Sequence, residues 1–156
     1  MEFLQALSEW PGAVMMRRFQ VVYLLVNASH IISISLVVGA IVTLDLKLLG
    51  LFRPFPIATL APPLSRVSAA GIMLAILTGL LLFSVRPAAY IQNTAFLIKV
   101  ALIVLGIANA LLLKSNYHWK IALAGGELHK SVRVSAFLSV ALWFSAVIAG
   151  RWIGFL

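Results

Sequence analysis

The sequence predicts an all-α integral membrane protein, a four-helix bundle preceded by a short N-terminal interfacial helix, and three observations carry that prediction. Apolar residues make up 63% of the chain and charged residues 10%, whereas a soluble domain is roughly half apolar and about a quarter charged. The apolar residues gather into four blocks, each close to the roughly 20 residues a helix needs to cross the hydrocarbon of a bilayer. The lysines and arginines sit mainly at the ends of those blocks, at the level of the headgroups. With 156 residues, the chain has room for a single transmembrane domain, 1–156.

In MEFLQALSEW, Phe3, Leu4, Leu7 and Trp10 recur at helical spacing opposite Gln5, Ser8 and Glu9. That pattern suits a helix over 2–10 lying in the membrane interface. Pro11-Gly12 breaks or redirects it, and without a basic leading region the segment does not read as a cleaved signal peptide. The first span covers 19–49, longer than a bilayer requires, so it must tilt or project. In the link RPFPIATLAPPL, Pro54, Pro56, Pro62 and Pro63 are expected to forbid a continuous helix. Further spans follow at 64–85, 94–113 and 132–155. The last two are joined by KSNYHWKIALAGGELHK, a polar and partly amphipathic connection punctuated by Gly125-Gly126.

The net charge of +8 would suggest nucleic acid as the partner of a soluble chain. Placed at span ends, it points to the lipid bilayer instead, and no nucleic acid is expected. The first and third connections hold Lys47, Arg53, Arg66, Lys114, Lys120, Lys130 and Arg133, while Arg17, Arg18, Arg86, Lys99 and Arg151 belong to the other side. By the positive-inside tendency, both termini face outward. The absence of cysteine removes disulfides, thiolate metal sites, iron-sulfur clusters and covalently attached haem.

Helices in lipid associate through close packing rather than the hydrophobic effect, so small residues should line their contacts. Gly71, Ala75 and Gly79 recur at intervals of four in the second span. Gly106 and Ala110 mark the third, and Ser131, Ser135, Ser139, Ala146 and Gly150 the fourth. Most of these read as packing positions; the sharper reading is that a flat ring needs glycine beneath it.

The first span contains NASHIISIS, with a histidine where oily residues are expected. Tyr23, Asn27, His30 and Ser33 follow at steps of four, three and three, which places them on one helical face, with Leu24, Leu25, Ile31, Ile32 and Leu36 elsewhere. A polar face in hydrocarbon should turn toward a partner or cavity. Three roles compete for His30: a hydrogen-bonded structural histidine, a haem or metal ligand oriented by Asn27 or Ser33, and a proton relay. Lys99 enters the membrane from the side of the His30 end and either snorkels to headgroups or, with Arg86 and Arg151, surrounds an anionic group such as haem propionates. Asp45, the only acid inside a span, is expected to form an ion pair with Lys47, Arg66, Lys114 or Arg133. His118 and His129 read as surface residues of the third connection, too far from His30 to share an iron with it.

HIISISLVVGAIVTLDLKLLG resembles the opening helix of small four-helix bacterial membrane proteins, among them the copper-resistance D (CopD) membrane domain and the HemJ-type protoporphyrinogen oxidases. FLIKVALIV is similar to the lysine-bearing helix of the HemJ type. Over most of its length, including LWFSAVIAGRWIGF, the chain resembles an uncharacterised family of short bacterial four-helix membrane proteins. The resemblance implies a bacterial inner membrane location with periplasmic termini and a haem b ligated by His30, with Lys99 supporting function. Where the HemJ type tends to carry a further histidine on the third helix, Asn109 stands here, which argues against porphyrin oxidation. The copper connection lacks the cysteine and clustered methionine that soft Cu(I) favours.

The expected function is therefore a haem b-binding, redox-active membrane protein engaged in electron transfer, to or from a quinone or a periplasmic redox partner, or in porphyrin handling. His30 would be the axial ligand, Asn27 or Ser33 its support, and Lys99, Arg86 and Arg151 the propionate partners. The alternative is a cofactor-free subunit or a carrier of a small solute or metal ion, in which the polar stripe only packs helices and a homo-oligomer forms through the small-residue faces.

Overall fold

The computed structural model describes residues 2–155. Two short helices come first, α1 (Glu2–Glu9) and α2 (Pro11–Arg18), followed by the long α3 (Gln20–Leu48) and α4 (Ile57–Val85). A short α5 (Pro87–Gln92) leads into α6 (Thr94–Ser115), and α7 (Tyr117–Leu123) precedes α8 (Lys130–Trp152). Helices α3, α4, α6 and α8 are long and apolar enough to cross a membrane, as in a multi-pass membrane protein.

The four spans alternate in direction, so the two termini and α5 share one end, here the terminal end. The α3–α4 and α6–α8 connections share the other, the loop end. Helix α3 is central: it packs along α4 on one side and α8 on the other, while α6 packs on α8. Among the described residues α6 touches neither α3 nor α4 along its backbone. The buried residues of α8, Val132, Ala136, Ser139, Trp143 and Ala146, alternate in steps of four and three, the spacing of a helix seam. Leu24, Leu25, Ile31, Ile32 and Leu36 of α3 are exposed, an arrangement that suits acyl chains and that water would penalise.

At the loop end, the turns that close α3 and α7 are made by glycine. Gly50 has φ 111° and Gly125 φ 86°, left-handed conformations that glycine adopts without a Cβ penalty. Gly50 N donates to Lys47 O and Leu51 N to Leu46 O; Gly125 N donates to Ala122 O and Gly126 N to Ile121 O. These are the paired bonds of a Schellman motif, which satisfy the last carbonyls of α3 and α7. Trp119 of α7 seals this end against Leu48, Ala61, Val132 and Ala136. At the terminal end, Phe83, Tyr90 and Phe96 pack together, with the Phe83 and Phe96 rings stacked at 5.6 Å. Arg17 caps α4 there, its Nη1 donating to Val85 O at 3.1 Å.

Two elements depart from the sequence expectation. The interfacial segment contains a second helix, α2, because Pro11 at its first turn has no N–H to lose there. Helix α4 begins at Ile57 rather than at Leu64 and runs through Pro62 and Pro63. The carbonyls those prolines leave without an N–H belong to Ala58 and Thr59, four residues earlier in each case. Both residues are exposed at the helix start, where the headgroup region supplies other donors.

Candidate functional site

His30 lies mid-face on α3 and meets α4. Its Nδ1 sits 2.8 Å from Thr78 Oγ1, and a Cβ on Gly79 would come within 3.2 Å of its Cε1. Thr78 is 5% exposed, and its hydroxyl donates to Leu74 O at 2.7 Å, with Ala75 O at 3.4 Å. One hydroxyl carries one proton, and that proton serves the helix's own carbonyls. Thr78 therefore accepts from His30, so the imidazole holds its hydrogen on Nδ1 and its lone pair on Nε2. An imidazole oriented through Nδ1–H with Nε2 carrying the lone pair is the arrangement of a metal-bound histidine.

The support expected from α3 itself is not used. Ser33 is fully buried, but its hydroxyl donates to the backbone carbonyl of His30 at 2.7 Å rather than to the ring. Asn27 is exposed. Tyr23 is also exposed, at the mouth of the terminal end beside Tyr90. Burial, and next the Tyr23 phenol, raise Tyr90 above the ordinary phenol range, with Arg86 opposing. The stripe read from the sequence thus runs from a buried serine to an exposed tyrosine, and only the part at His30 and Ser33 faces the bundle.

Lys99 reaches inward from α6. Its side chain lies against Gly150 of α8, where a Cβ would meet Lys99 Cε at 3.4 Å and Nζ at 3.6 Å. Arg86 is exposed beyond α4, and Arg151, also exposed, lies over the Phe155 ring at 4.9 Å. Of the three cations expected around one anion, the structure turns Lys99 inward against α8 and leaves both arginines exposed at the rim.

The interior glycines are filled by the chain's own side chains. Gly71 faces Val37 and Ser33, Gly79 faces His30, Gly106 faces Trp143, and Gly150 faces Lys99. They serve packing, and none is left open for a flat ring. The side chains that would act toward a bound haem are His30, through Nε2, and Lys99, as a partner for a carboxylate. No group of three or more His, Asp or Glu that would hold a bare metal ion occurs among the described residues.

Three further features emerge from the coordinates. Asp45, 4% exposed, leaves Oδ2 buried without a hydrogen-bond partner, and the expected ion pair with Lys47 is not formed, since Lys47 Nζ donates to Phe52 O and Arg53 O instead. Asn109 and Ser135 clasp α6 to α8 twice, Nδ2 to the Ser135 carbonyl and the Ser135 hydroxyl to Oδ1, each at 3.0 Å. His118 and His129 stack at 3.8 Å between ring centroids, at the end opposite His30, and His129 Nδ1 caps α8 by accepting from Ser131 N. Antiparallel register around the α3–α4 turn was the signal available for Thr78, the lone threonine of LAILTGLLL. Compared with family models, curated proteins and solved structures, the chain matches none.

Proposed function

We propose that this is a haem b-binding, redox-active membrane protein in which His30 Nε2 is an axial ligand. The observation that carries the reading is the 2.8 Å contact between His30 Nδ1 and Thr78 Oγ1, which orients the ring from its Nδ1 side as partners of ligating histidines do. A b-type haem supplies one-electron transfer. The chain's part is to orient the ring through Thr78, to offer Lys99 to a propionate, and to keep the site inside a membrane bundle. The basic loop end corresponds to the cytoplasmic face of a bacterial inner membrane. The haem end would then lie toward periplasmic termini, within reach of a quinone or a periplasmic redox protein.

The filled glycines favour a second reading. There the His30–Thr78 bond is interhelical glue, Lys99 snorkels, and the protein is a cofactor-free subunit or carrier.

Absorption spectroscopy separates the two. Protein purified in mild detergent from haem-replete cells shows a Soret band in the first case; His30→Ala abolishes it, and Lys99→Gln weakens haem retention. A colourless preparation after haem supplementation, with His30→Ala indistinguishable from wild type, establishes the second.

A further inference from the structure

A cavity of about 660 Å³ opens at the loop end between the α3–α4 turn and the α7–α8 turn. Its polar lining is Lys47, Arg53 and Arg133, opposed by a single carboxylate, Glu127; Phe55 and Ile57 are among its apolar walls. Its volume falls within the range of small-molecule sites. The Schellman turns at Gly50 and Gly125 fold the two connections back and so build the facing walls.

The cations are held differently. Lys47, 8% exposed, donates through Nζ to Phe52 O at 3.0 Å and Arg53 O at 3.3 Å. An ammonium has three N–H groups, so one remains after these two bonds. Arg53 is tied only through Nε, to Gly50 O at 3.2 Å, which leaves its terminal nitrogens for a ligand. Arg133 is exposed one turn into α8. Keeping three cations around one cavity costs repulsion that a bound anion removes. Two arginine forks and one ammonium match the oxygens of a phosphate group. Apolar walls at the level where spans leave the membrane suit an amphiphile whose chains continue into the bilayer.

We infer that this cavity binds a phosphate group, carried on the headgroup of an anionic phospholipid. Lys47 and Arg53 hold it from the α3–α4 turn and Arg133 from α8, so the ligand ties the two connections of the loop end together. Glu127 opposes binding and sets its strength.

The test uses the full chain in detergent, with lipid retention read by native mass spectrometry against added phosphatidylglycerol, phosphatidylcholine or inorganic phosphate. Wild type is expected to retain phosphatidylglycerol over phosphatidylcholine. The double variant Arg53→Gln/Arg133→Gln should bind it about tenfold or more weakly, since hydrogen bonds to charged groups are each worth roughly a decade in affinity. Glu127→Gln should bind more tightly. Lys114→Gln/Lys120→Gln removes the same charge from exposed positions outside the cavity and should stay within about twofold of wild type. Displacement of phosphatidylglycerol by millimolar inorganic phosphate from wild type, and weaker phosphate binding by the arginine double variant, would assign the same cavity to free phosphate. Equal loss in both double variants, or none in the arginine pair, overturns the proposal. Circular dichroism of each variant confirms that the helices are intact.

Discussion

His30 Nδ1 and Thr78 Oγ1 lie 2.8 Å apart across the α3–α4 contact, and the threonine's proton is already given to Leu74 O. The direction of that bond follows from proton counting, and it makes Thr78→Val an informative substitution. Valine keeps the shape and removes the acceptor. We expect a loss of about 1 kcal/mol in unfolding free energy, the scale of interhelical hydrogen bonds in membranes, with Thr78→Ser retaining most of it. Nitrogen NMR of the wild-type imidazole should place the hydrogen on Nδ1; a hydrogen on Nε2 would refute the assignment.

Gly71 faces an unyielding surface. A Cβ there meets Val37 Cγ2 at 2.9 Å and two backbone atoms, Ser33 O and Val37 N, at 3.1 Å. Backbone cannot swing aside, so Gly71→Ala must separate α3 from α4, at about 1–3 kcal/mol. Gly39, on the same α3, has nothing within 4 Å of its Cβ position. Gly39→Ala should be neutral or stabilising by up to about 1 kcal/mol. Thermal unfolding in one detergent compares the two, and equal losses would contradict the packing described.

The clasp between Asn109 and Ser135 uses both ends of the amide. Helix α6 has few buried residues of its own, Ala95 and Gly106, so its attachment to α8 leans on this pair. A double-mutant cycle with Asn109→Leu and Ser135→Ala should return a coupling of roughly 0.6 to 1.7 kcal/mol. A coupling near zero would mean that the clasp does not persist in the folded protein.

The spans were legible because hydrocarbon imposes a length and an apolar composition that no soluble helix needs. The exposed face of α3 was legible for a related reason: period 3.6 sorts Leu24, Ile31 and Ile32 away from His30. The partner of His30 was not legible. A reading confined to one helix offers Asn27 and Ser33, but a serine inside a helix has a carbonyl three residues back within easy reach, and Ser33 takes it. Thr78 lies 48 positions away and becomes a neighbour only once α3 and α4 are paired in register. Pro62 and Pro63 misled for the opposite reason. The rule against proline concerns the bond it deletes, and near a helix start the deleted bonds fall on exposed residues.

Asp45 supplies the last prediction. As the one acid inside a span, it suggested an ion pair, and removing one partner of a buried pair costs about 3–5 kcal/mol. The carboxyl instead leaves Oδ2 buried and without a partner. An amide keeps an acceptor oxygen and carries no charge to desolvate. Asp45→Asn should therefore change the unfolding free energy by less than about 1 kcal/mol, and in the stabilising direction if the carboxyl is ionised in the wild type. If the hydroxyl of Ser139, also buried on α8, reaches the carboxyl, Ser139→Ala should destabilise by about 1 kcal/mol, and the effect should shrink when it is combined with Asp45→Asn. Chemical unfolding of the wild type, the two single variants and the double variant in a common detergent decides this. A loss above about 3 kcal/mol for Asp45→Asn alone would restore the ion pair.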